Sequence, residues 1–102
     1  MDIYELTEAM HAFVQSQGWY SAESRRPQTL RNLAISLSLE AAEVLELFQW
    51  KDEANPDKQV LGEELADVAL YMLQIASLAK IDLEQAILDK LQQNYHRTWD
   101  QT

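Results

Sequence analysis

The chain has 102 residues, 47% of them hydrophobic, which is enough for one globular domain spanning residues 1–102. A formal net charge of −9 argues against nucleic-acid binding, which needs a basic face, and the absence of cysteine excludes disulfides and zinc–sulfur sites. No run of about 18 apolar residues occurs, so we expect a cytoplasmic protein with no membrane partner.

The scarcity of helix breakers, two Gly and two Pro, predicts an all-α fold, and the first helix is predicted over residues 2–17. Gly18 follows it as a stop signal. Glu8 and His11 form one Glu-x-x-His pair, but a di-iron carboxylate bundle needs two such pairs and no second one occurs. A ferritin-like redox protein is therefore a weak alternative, and we expect His11 at the surface or an interface.

Residues 18–28 (GWYSAESRRPQ) are predicted to form a loop in which two aromatic residues precede two arginines. An aromatic ring beside arginines is suited to clamping a base and its phosphates. Equally, Trp19 could cap the core of the bundle while Arg25 and Arg26 are solvated. The sequence leaves these two interpretations open.

Two further helices are predicted over residues 29–50 and 58–79, separated by the turn-forming segment KDEANPD. Thr29 is the predicted N-cap of the earlier one. Acidic residues three apart interrupt both apolar stripes, and residues three apart share one face of a helix. These four acids are Glu40, Glu43, Glu64 and Asp67.

A helical hairpin would bring the two acidic pairs together. Glu43 lies seven residues before Trp50 and Glu64 seven residues after Asp57, which puts each about 10 Å from the turn. Four carboxylates at one level repel one another, and Mg²⁺ is the simplest compensation because it prefers carboxylate oxygens. Glu46 and Glu63 are predicted to be solvated neighbours.

A fourth helix is predicted over residues 83–99, with Asp82 as its N-cap and Gln85 completing a capping box. Lys90, Asn94 and Arg97 recur on one face, which is suited to phosphates or is simply ordinary surface. The wide apolar stripe of the third helix predicts self-association, because so short a chain has little else to cover it.

These residues resemble the MazG-like, all-α nucleoside triphosphate pyrophosphohydrolases, whose E-x-x-E … E-x-x-D pattern spans two antiparallel helices. LEAAEVLELFQWK (39–51) and EELADVALYM (63–72) are similar to segments of the dCTP-pyrophosphatase branch. Arg31-Asn32 is similar to its R-N pair, and Lys90 with Asn94 to its K-x-x-x-N motif. The resemblance covers residues 19–97.

The resemblance implies a four-helix MazG-like bundle that hydrolyses a nucleoside triphosphate to the monophosphate and pyrophosphate. It implies Mg²⁺, with Mn²⁺ as the alternative, held by the four acids, and a homodimer or homotetramer. Glu43 or Glu40 would act as general base. The substrate-binding residues would be Trp19, Arg31, Asn32, Trp50, Lys51, Lys90, Asn94 and Arg97.

Two segments depart from that branch. Leu30 stands where the branch usually has Pro before R-N, and Thr98-Trp99 stands where it usually has Tyr-Pro. Both lie near where a base or a phosphate tail would bind, so they bear on substrate identity. The alternative to an enzyme is a non-catalytic helical module that binds a nucleotide or a protein through its acidic face.

Overall fold

The computed structural model describes residues 1–50 and 56–99, and within these ranges it contains four α-helices and no strand. The helices are α1 (Ile3–Ser16), α2 (Leu30–Glu46), α3 (Lys58–Leu78) and α4 (Leu83–His96). The all-α prediction is confirmed. Over the described residues, no helix has both the length and the hydropathy that crossing a membrane requires.

Every helix begins at a residue whose side chain accepts a hydrogen bond from a backbone N–H of the first turn, which satisfies a donor that the helix leaves unpaired. These N-caps are Asp2, Thr29, Asp57 and Asp82. The predicted capping roles of Thr29 and Asp82 are thus confirmed. The capping box is only half formed, because the amide of Gln85 donates to Asp89 Oδ1, 2.8 Å away.

Two helices end in a left-handed residue that reverses the chain. Gly18 has φ +74° after α1, and Lys80 has φ +59° after α3. In both cases the next backbone N–H reaches back to a carbonyl of the last turn, from Trp19 to Val14 at 3.3 Å and from Ile81 to Ala76 at 2.8 Å. This is the Schellman arrangement, and it confirms Gly18 as a stop.

The ends predicted for two helices were wrong. The helix predicted to reach Trp50 ends at Glu46, because the N–H groups of residues 47–49 bond three residues back and the chain tightens into turns. The helix predicted to reach residue 99 ends at His96, where Arg97 is extended. There the indole N–H of Trp99 donates to the Asn94 carbonyl at 3.2 Å and takes the place of a further backbone donor.

The third helix is the centre of the fold. It packs most extensively against α2, less against α1 and least against α4. Met10, Val14 and Leu73 form a buried cluster between α1 and α3, with the rings of Trp19 and Tyr20 packed against it. The pairing of α2 with α3 is the contact that positions the acidic residues.

The fourth helix contributes no buried residue within the described chain. Its large apolar side chains Ile87, Leu88, Leu91 and Tyr95 are all exposed. The Cα radius of gyration is 16.6 Å, whereas a compact domain of this length has about 13 Å. A single chain therefore leaves much of its apolar surface uncovered.

Candidate functional site

Three of the four predicted acids converge where α2 lies along α3. One carboxylate oxygen from each of Glu40, Glu43 and Glu64 lies within 4.8 Å of the others. Glu40 and Glu43 extend from consecutive turns of α2, and Glu64 from the second turn of α3. The helical hairpin predicted from the spacing therefore forms, even though α2 ends earlier than expected.

The carboxylates perturb one another. A hydrogen bond with Glu43, loss of solvent and the neighbouring negative charges all raise the pKa of Glu64 above its ordinary value. Loss of solvent, followed by the charges of Glu43 and Asp67, raises the pKa of Glu40. Both shifts favour the neutral acid, as expected for carboxylates held close together away from water.

The chemistry of these side chains fits a hard cation. Oε2 of Glu40 and Oε2 of Glu64 are buried, and neither accepts a hydrogen bond from the described residues. Glu40, Glu43 and Glu64 would each supply one carboxylate oxygen to a divalent cation, since these oxygens lie within 4.8 Å of one another. A divalent cation would supply the charge that these buried oxygens lack.

Asp67 stands slightly apart from that group. It does not fall within the 4.8 Å set, yet its charge contributes to the raised pKa values of Glu40 and Glu64. Its side chain also lines the neighbouring cavity. Glu46 and Glu63 are exposed and lie outside the group, as their positions predicted.

A cavity of about 510 Å³ opens beside the acids, between α1, α2, α3 and the 18–28 loop. Asp67 lies at its border with the acidic group, and the rest of its wall is largely apolar with a few amides. The lining side chains include Met10, Phe13, Trp19, Arg26, Gln28, Asn32, Leu33, Ser36, Asp67, Leu70, Tyr71 and Gln74. This volume is in the range of small-molecule sites.

Trp19 packs on the core of the bundle, as one of the two interpretations left open by the sequence predicted. Its ring is half-buried, packs against the core cluster and meets the ring of Phe13 edge-on at 5.7 Å. The guanidinium of Arg26 lies 5.6 Å above the same indole, and both residues line the cavity. Arg25 lines it too, and both arginines are exposed, as the other interpretation predicted.

The predicted R-N pair divides between two surroundings. Asn32 lines the cavity, and its amide donates to the Pro27 carbonyl at 3.0 Å, which ties the end of the loop to α2. Arg31 is exposed and is not part of the cavity wall.

The other predicted substrate-binding residues within the described chain do not line the cavity. Lys90 and Arg97 are exposed, and the Arg97 guanidinium stacks on the Trp99 ring at 4.3 Å. Asn94 is half-buried, and its Oδ1 has no hydrogen-bond donor among the described residues. Trp50 is 93% exposed, so it does not seal the core of its own chain. Lys51 lies outside the described residues.

A polar network was missed by the sequence analysis. His11, expected at the surface or an interface, is half-buried and bonded to Tyr20 Oη and to Ser77 Oγ, each at 2.6 Å. Gln74 is 3% exposed and also bonds to Tyr20. The available signal was Gln74 itself, a lone amide within the apolar run of α3.

Comparison with known proteins agrees with this geometry. A model of the MazG-like family matches residues 35–101, a range that contains all four acids and α4. The dCTP pyrophosphatase 1 proteins of Homo sapiens and Mus musculus are each 39% identical to the chain over 75 residues, covering 66% of it. The chain spans 44% of the length of these curated relatives.

A solved structure is similar along nearly the whole chain. The crystal structure of a pyrophosphatase from Archaeoglobus fulgidus superposes with a TM-score of 0.74 at 32% sequence identity. The match covers 91% of this chain and 88% of that protein. The helical arrangement described above is thus shared with an experimentally determined fold.

Proposed function

This chain belongs to the MazG-like family, and from that premise we propose that it is a Mg²⁺-dependent nucleoside triphosphate pyrophosphohydrolase. Three carboxylates meet beside a cavity of about 510 Å³, and two of their buried oxygens accept no hydrogen bond from the residues that the structure describes; this observation carries the proposal. The names of the similar proteins, dCTP pyrophosphatase and pyrophosphatase, support the same reaction class.

We assign the metal to the acidic group. Glu40, Glu43 and Glu64 would hold Mg²⁺, or Mn²⁺ as the alternative, with Asp67 as a fourth ligand. When bound, such an ion neutralises phosphate charge and lowers the pKa of water. The fit rests on the donor set, which consists entirely of carboxylate oxygens.

The chain's own carboxylates would handle the proton. Glu43, or alternatively Glu40, accepts a proton from the attacking water as its oxygen bonds to the α-phosphorus. The bond from that phosphorus to the oxygen bridging it to the β-phosphorus breaks, and pyrophosphate leaves with the bonding electron pair. The products are a nucleoside monophosphate and pyrophosphate.

The cavity is the proposed place for the nucleoside. Trp19 offers a ring face for stacking, and Asn32 offers an amide close to it. Arg31, Lys51, Lys90, Asn94 and Arg97 are proposed to hold phosphates, and Trp50 to stack on the base. The exposure of Trp50 is consistent with that role, since its ring is free to meet a ligand or another subunit.

We further propose that the protein works as a homodimer or homotetramer in the cytoplasm. The exposed apolar face of α4 and the radius of gyration of 16.6 Å support self-association. Removal of surplus or damaged nucleotides is the role that we propose for such an enzyme.

Pyrophosphate release from a panel of ribo- and deoxyribonucleoside triphosphates, measured across a Mg²⁺ titration, tests the proposed function. Asp67→Asn should be inactive at every Mg²⁺ concentration, because charge neutralisation and water activation fail together. Asn94→Ala should keep a Mg²⁺-dependent rate and lose roughly ten- to a hundredfold in kcat/KM, the size of one hydrogen bond to a charged group.

Circular dichroism of each variant serves as the control for folding. A wild-type protein that binds nucleotide without releasing pyrophosphate would favour the non-catalytic binding module. Near-normal turnover by folded Asp67→Asn would show that Asp67 is not needed as a metal ligand.

A further inference from the structure

One buried amide ties both ends of the 18–28 loop to the centre of the fold. Gln74 of α3 donates from Nε2 to Tyr20 Oη at 3.2 Å and to Gln28 Oε1 at 2.8 Å. Tyr20 follows the turn at Gly18, and Gln28 immediately precedes the N-cap of α2. A single side chain that is 3% exposed therefore holds the loop at its beginning and at its end.

The directions of the hydrogen bonds made by Gln28 and Gln74 follow from a fixed acceptor. Gln28 Nε2 donates at 2.7 Å to the backbone carbonyl of Arg26, a group that can only accept. Gln28 must then present Oε1 to Gln74, which commits both N–H bonds of the Gln74 amide to the loop. Tyr20 Oη accepts one of them and also lies 2.6 Å from His11 Nδ1, where the tautomer of the imidazole decides which group donates.

His11 continues the network towards α3. Its Nδ1 lies 2.6 Å from Tyr20 Oη and its Nε2 lies 2.6 Å from Ser77 Oγ, so both ring nitrogens have a hydrogen-bond partner. The network therefore runs without interruption from the loop through α1 back to α3. Removing the Tyr20 hydroxyl would leave one N–H of Gln74 and the Nδ1 atom of His11 without partners.

What the network holds is one wall of the cavity. Arg26 lies between the two anchored residues, and Trp19 immediately precedes the first of them. Both line the cavity, and the Arg26 guanidinium lies 5.6 Å from the centre of the Trp19 ring. Most other hydrogen bonds of the loop are local, such as those from Ser24 N to Ser21 O and from Arg26 N to Ser24 Oγ. Such bonds shape the loop but do not attach it to the helices.

We propose that Gln74 and Tyr20 are positioning residues that hold the 18–28 loop in place for the nucleoside end of the substrate. The proposal rests on the pyrophosphohydrolase function and assigns these two residues a part in substrate affinity. A loop held in advance does not have to be ordered on binding, so the network lowers KM. The carboxylates that perform the chemistry lie on α2 and α3, so kcat does not depend on the loop.

Kinetics of Tyr20→Phe and Gln74→Met test the proposal, with Tyr4→Phe as the matched control. Tyr4 is a residue of α1 that does not line the cavity. Its hydroxyl donates a hydrogen bond to Asp82, 3.2 Å away. The two network variants should raise KM roughly five- to tenfold, which is the size of one lost hydrogen bond, and should leave kcat within about twofold. Tyr4→Phe should change neither constant.

Trypsin provides a readout that does not depend on turnover. The loop contains the Arg25–Arg26 bond, and the following Arg26–Pro27 bond resists trypsin because proline follows the arginine. Releasing the loop should speed cleavage after Arg25 roughly tenfold in Tyr20→Phe and Gln74→Met, and not in Tyr4→Phe. If Gln74→Met does not fold, Tyr20→Phe still decides the question.

The outcomes separate the two proposals. A wild-type protein with no turnover on any nucleotide overturns the proposed function and this inference with it. Normal wild-type turnover, with KM unchanged in folded Tyr20→Phe, overturns the positioning role alone, whatever the rate of cleavage. A loss confined to kcat overturns it as well.

Discussion

Lys80 ends α3 in a conformation that suits glycine better than any other residue. Its φ of +59° brings Cβ close to the backbone, at a cost of about 1–2 kcal/mol for a residue with a side chain. The Schellman bond from Ile81 to Ala76 nevertheless keeps the residue there. Gly18 has the same left-handed conformation after α1, so a glycine and a lysine can be compared at equivalent positions of one chain.

Lys80→Gly should therefore stabilise the protein. Relief of the strain exceeds the extra chain entropy of glycine, about 0.5–1 kcal/mol, and leaves a net gain of up to about 1 kcal/mol. The melting temperature should rise by a few degrees, as expected for a domain of about 100 residues. Gly18→Ala is the control in the opposite direction and should lower the melting temperature, because its φ of +74° is strained for alanine although the space is open.

Glu63 and Glu64 are neighbours in sequence with different surroundings. Only Glu64 belongs to the acidic group, while Glu63 is exposed. Mg²⁺ should raise the melting temperature of the wild type, since binding to the folded state alone adds about 2.7 kcal/mol at a hundred times the dissociation constant. Glu64→Gln should blunt that rise and Glu63→Gln should not, as measured by differential scanning fluorimetry. Equal responses would mean that Glu64 is not a ligand.

At the scale of helices, the pairing of α2 with α3 makes metal-free stability depend on pH. The folded state raises the pKa of Glu64, first through its hydrogen bond with Glu43, and that of Glu40, first through loss of solvent. A raised folded-state pKa contributes stability below the ordinary value of 4.5, and this contribution is lost as pH rises through the folded-state pKa.

With a chelator present to remove metal, the carboxylates should thus contribute a decrease in the wild-type melting temperature as pH rises from about 4.5 towards neutrality. The double variant Glu40→Gln, Glu64→Gln isolates this component, because its amides do not titrate and its profile should be flatter. Saturating Mg²⁺ should flatten the wild-type profile in the same way. Parallel pH profiles for wild type and double variant without metal would show that the carboxylates do not perturb each other in solution.

Local patterns predicted the helices well and their ends less well. Thr29 and Asp82 were predictable because a cap acts on backbone groups within three residues. The end of α2 was not, since the first proline after Glu46 is Pro56 and nothing before it forbids a helix. After Glu46 the backbone N–H groups bond to carbonyls three residues back, in place of the four-residue spacing of an α-helix, and no residue type in the sequence marks that change.

The candidate site likewise contains residues that local patterns predict and contacts that they do not. Glu40, Glu43 and Glu64 were predictable because two short periodic segments and one turn bring them together. The bond between Gln74 and Tyr20 joins residues 54 positions apart and depends on how α1, α3 and a loop pack. Helical periodicity carries no information about that contact, so the network that supports the cavity could only be found in three dimensions.

At the scale of the whole molecule, one chain has a small core for its length. Its buried hydrophobic residues within the described ranges are Met10, Val14, Leu33, Leu73 and Ala76. Burial of apolar surface contributes about 25 cal/mol per Å², so the exposed apolar side chains of α2, α3 and α4 represent stabilisation that a single chain does not obtain. A second copy of the chain could provide it.

The face of α4 is where this expectation is most directly tested. Ile87, Leu91 and Tyr95 recur every four residues and so share one side of the helix, and all three are exposed. If that side contacts another subunit, a charge placed in it must be buried on assembly, which costs several kcal/mol without a partner. Light scattering should then give the wild type a mass of two or four times 11.8 kDa, and Leu91→Glu a mass shifted towards one chain.

Gln93→Glu is the matched control, because it adds the same charge to an exposed position about 200° around the helix from Leu91. Its mass should equal that of the wild type. The buried Oδ1 of Asn94 on α4 has no hydrogen-bond donor within residues 1–50 and 56–99. If a neighbouring subunit supplies that donor, dissociation should also lower turnover. A wild type with the mass of one chain would show that the protein does not assemble. A Leu91→Glu variant that assembles normally would place the subunit contact elsewhere. In either case the exposed stripe of α4 would need another explanation.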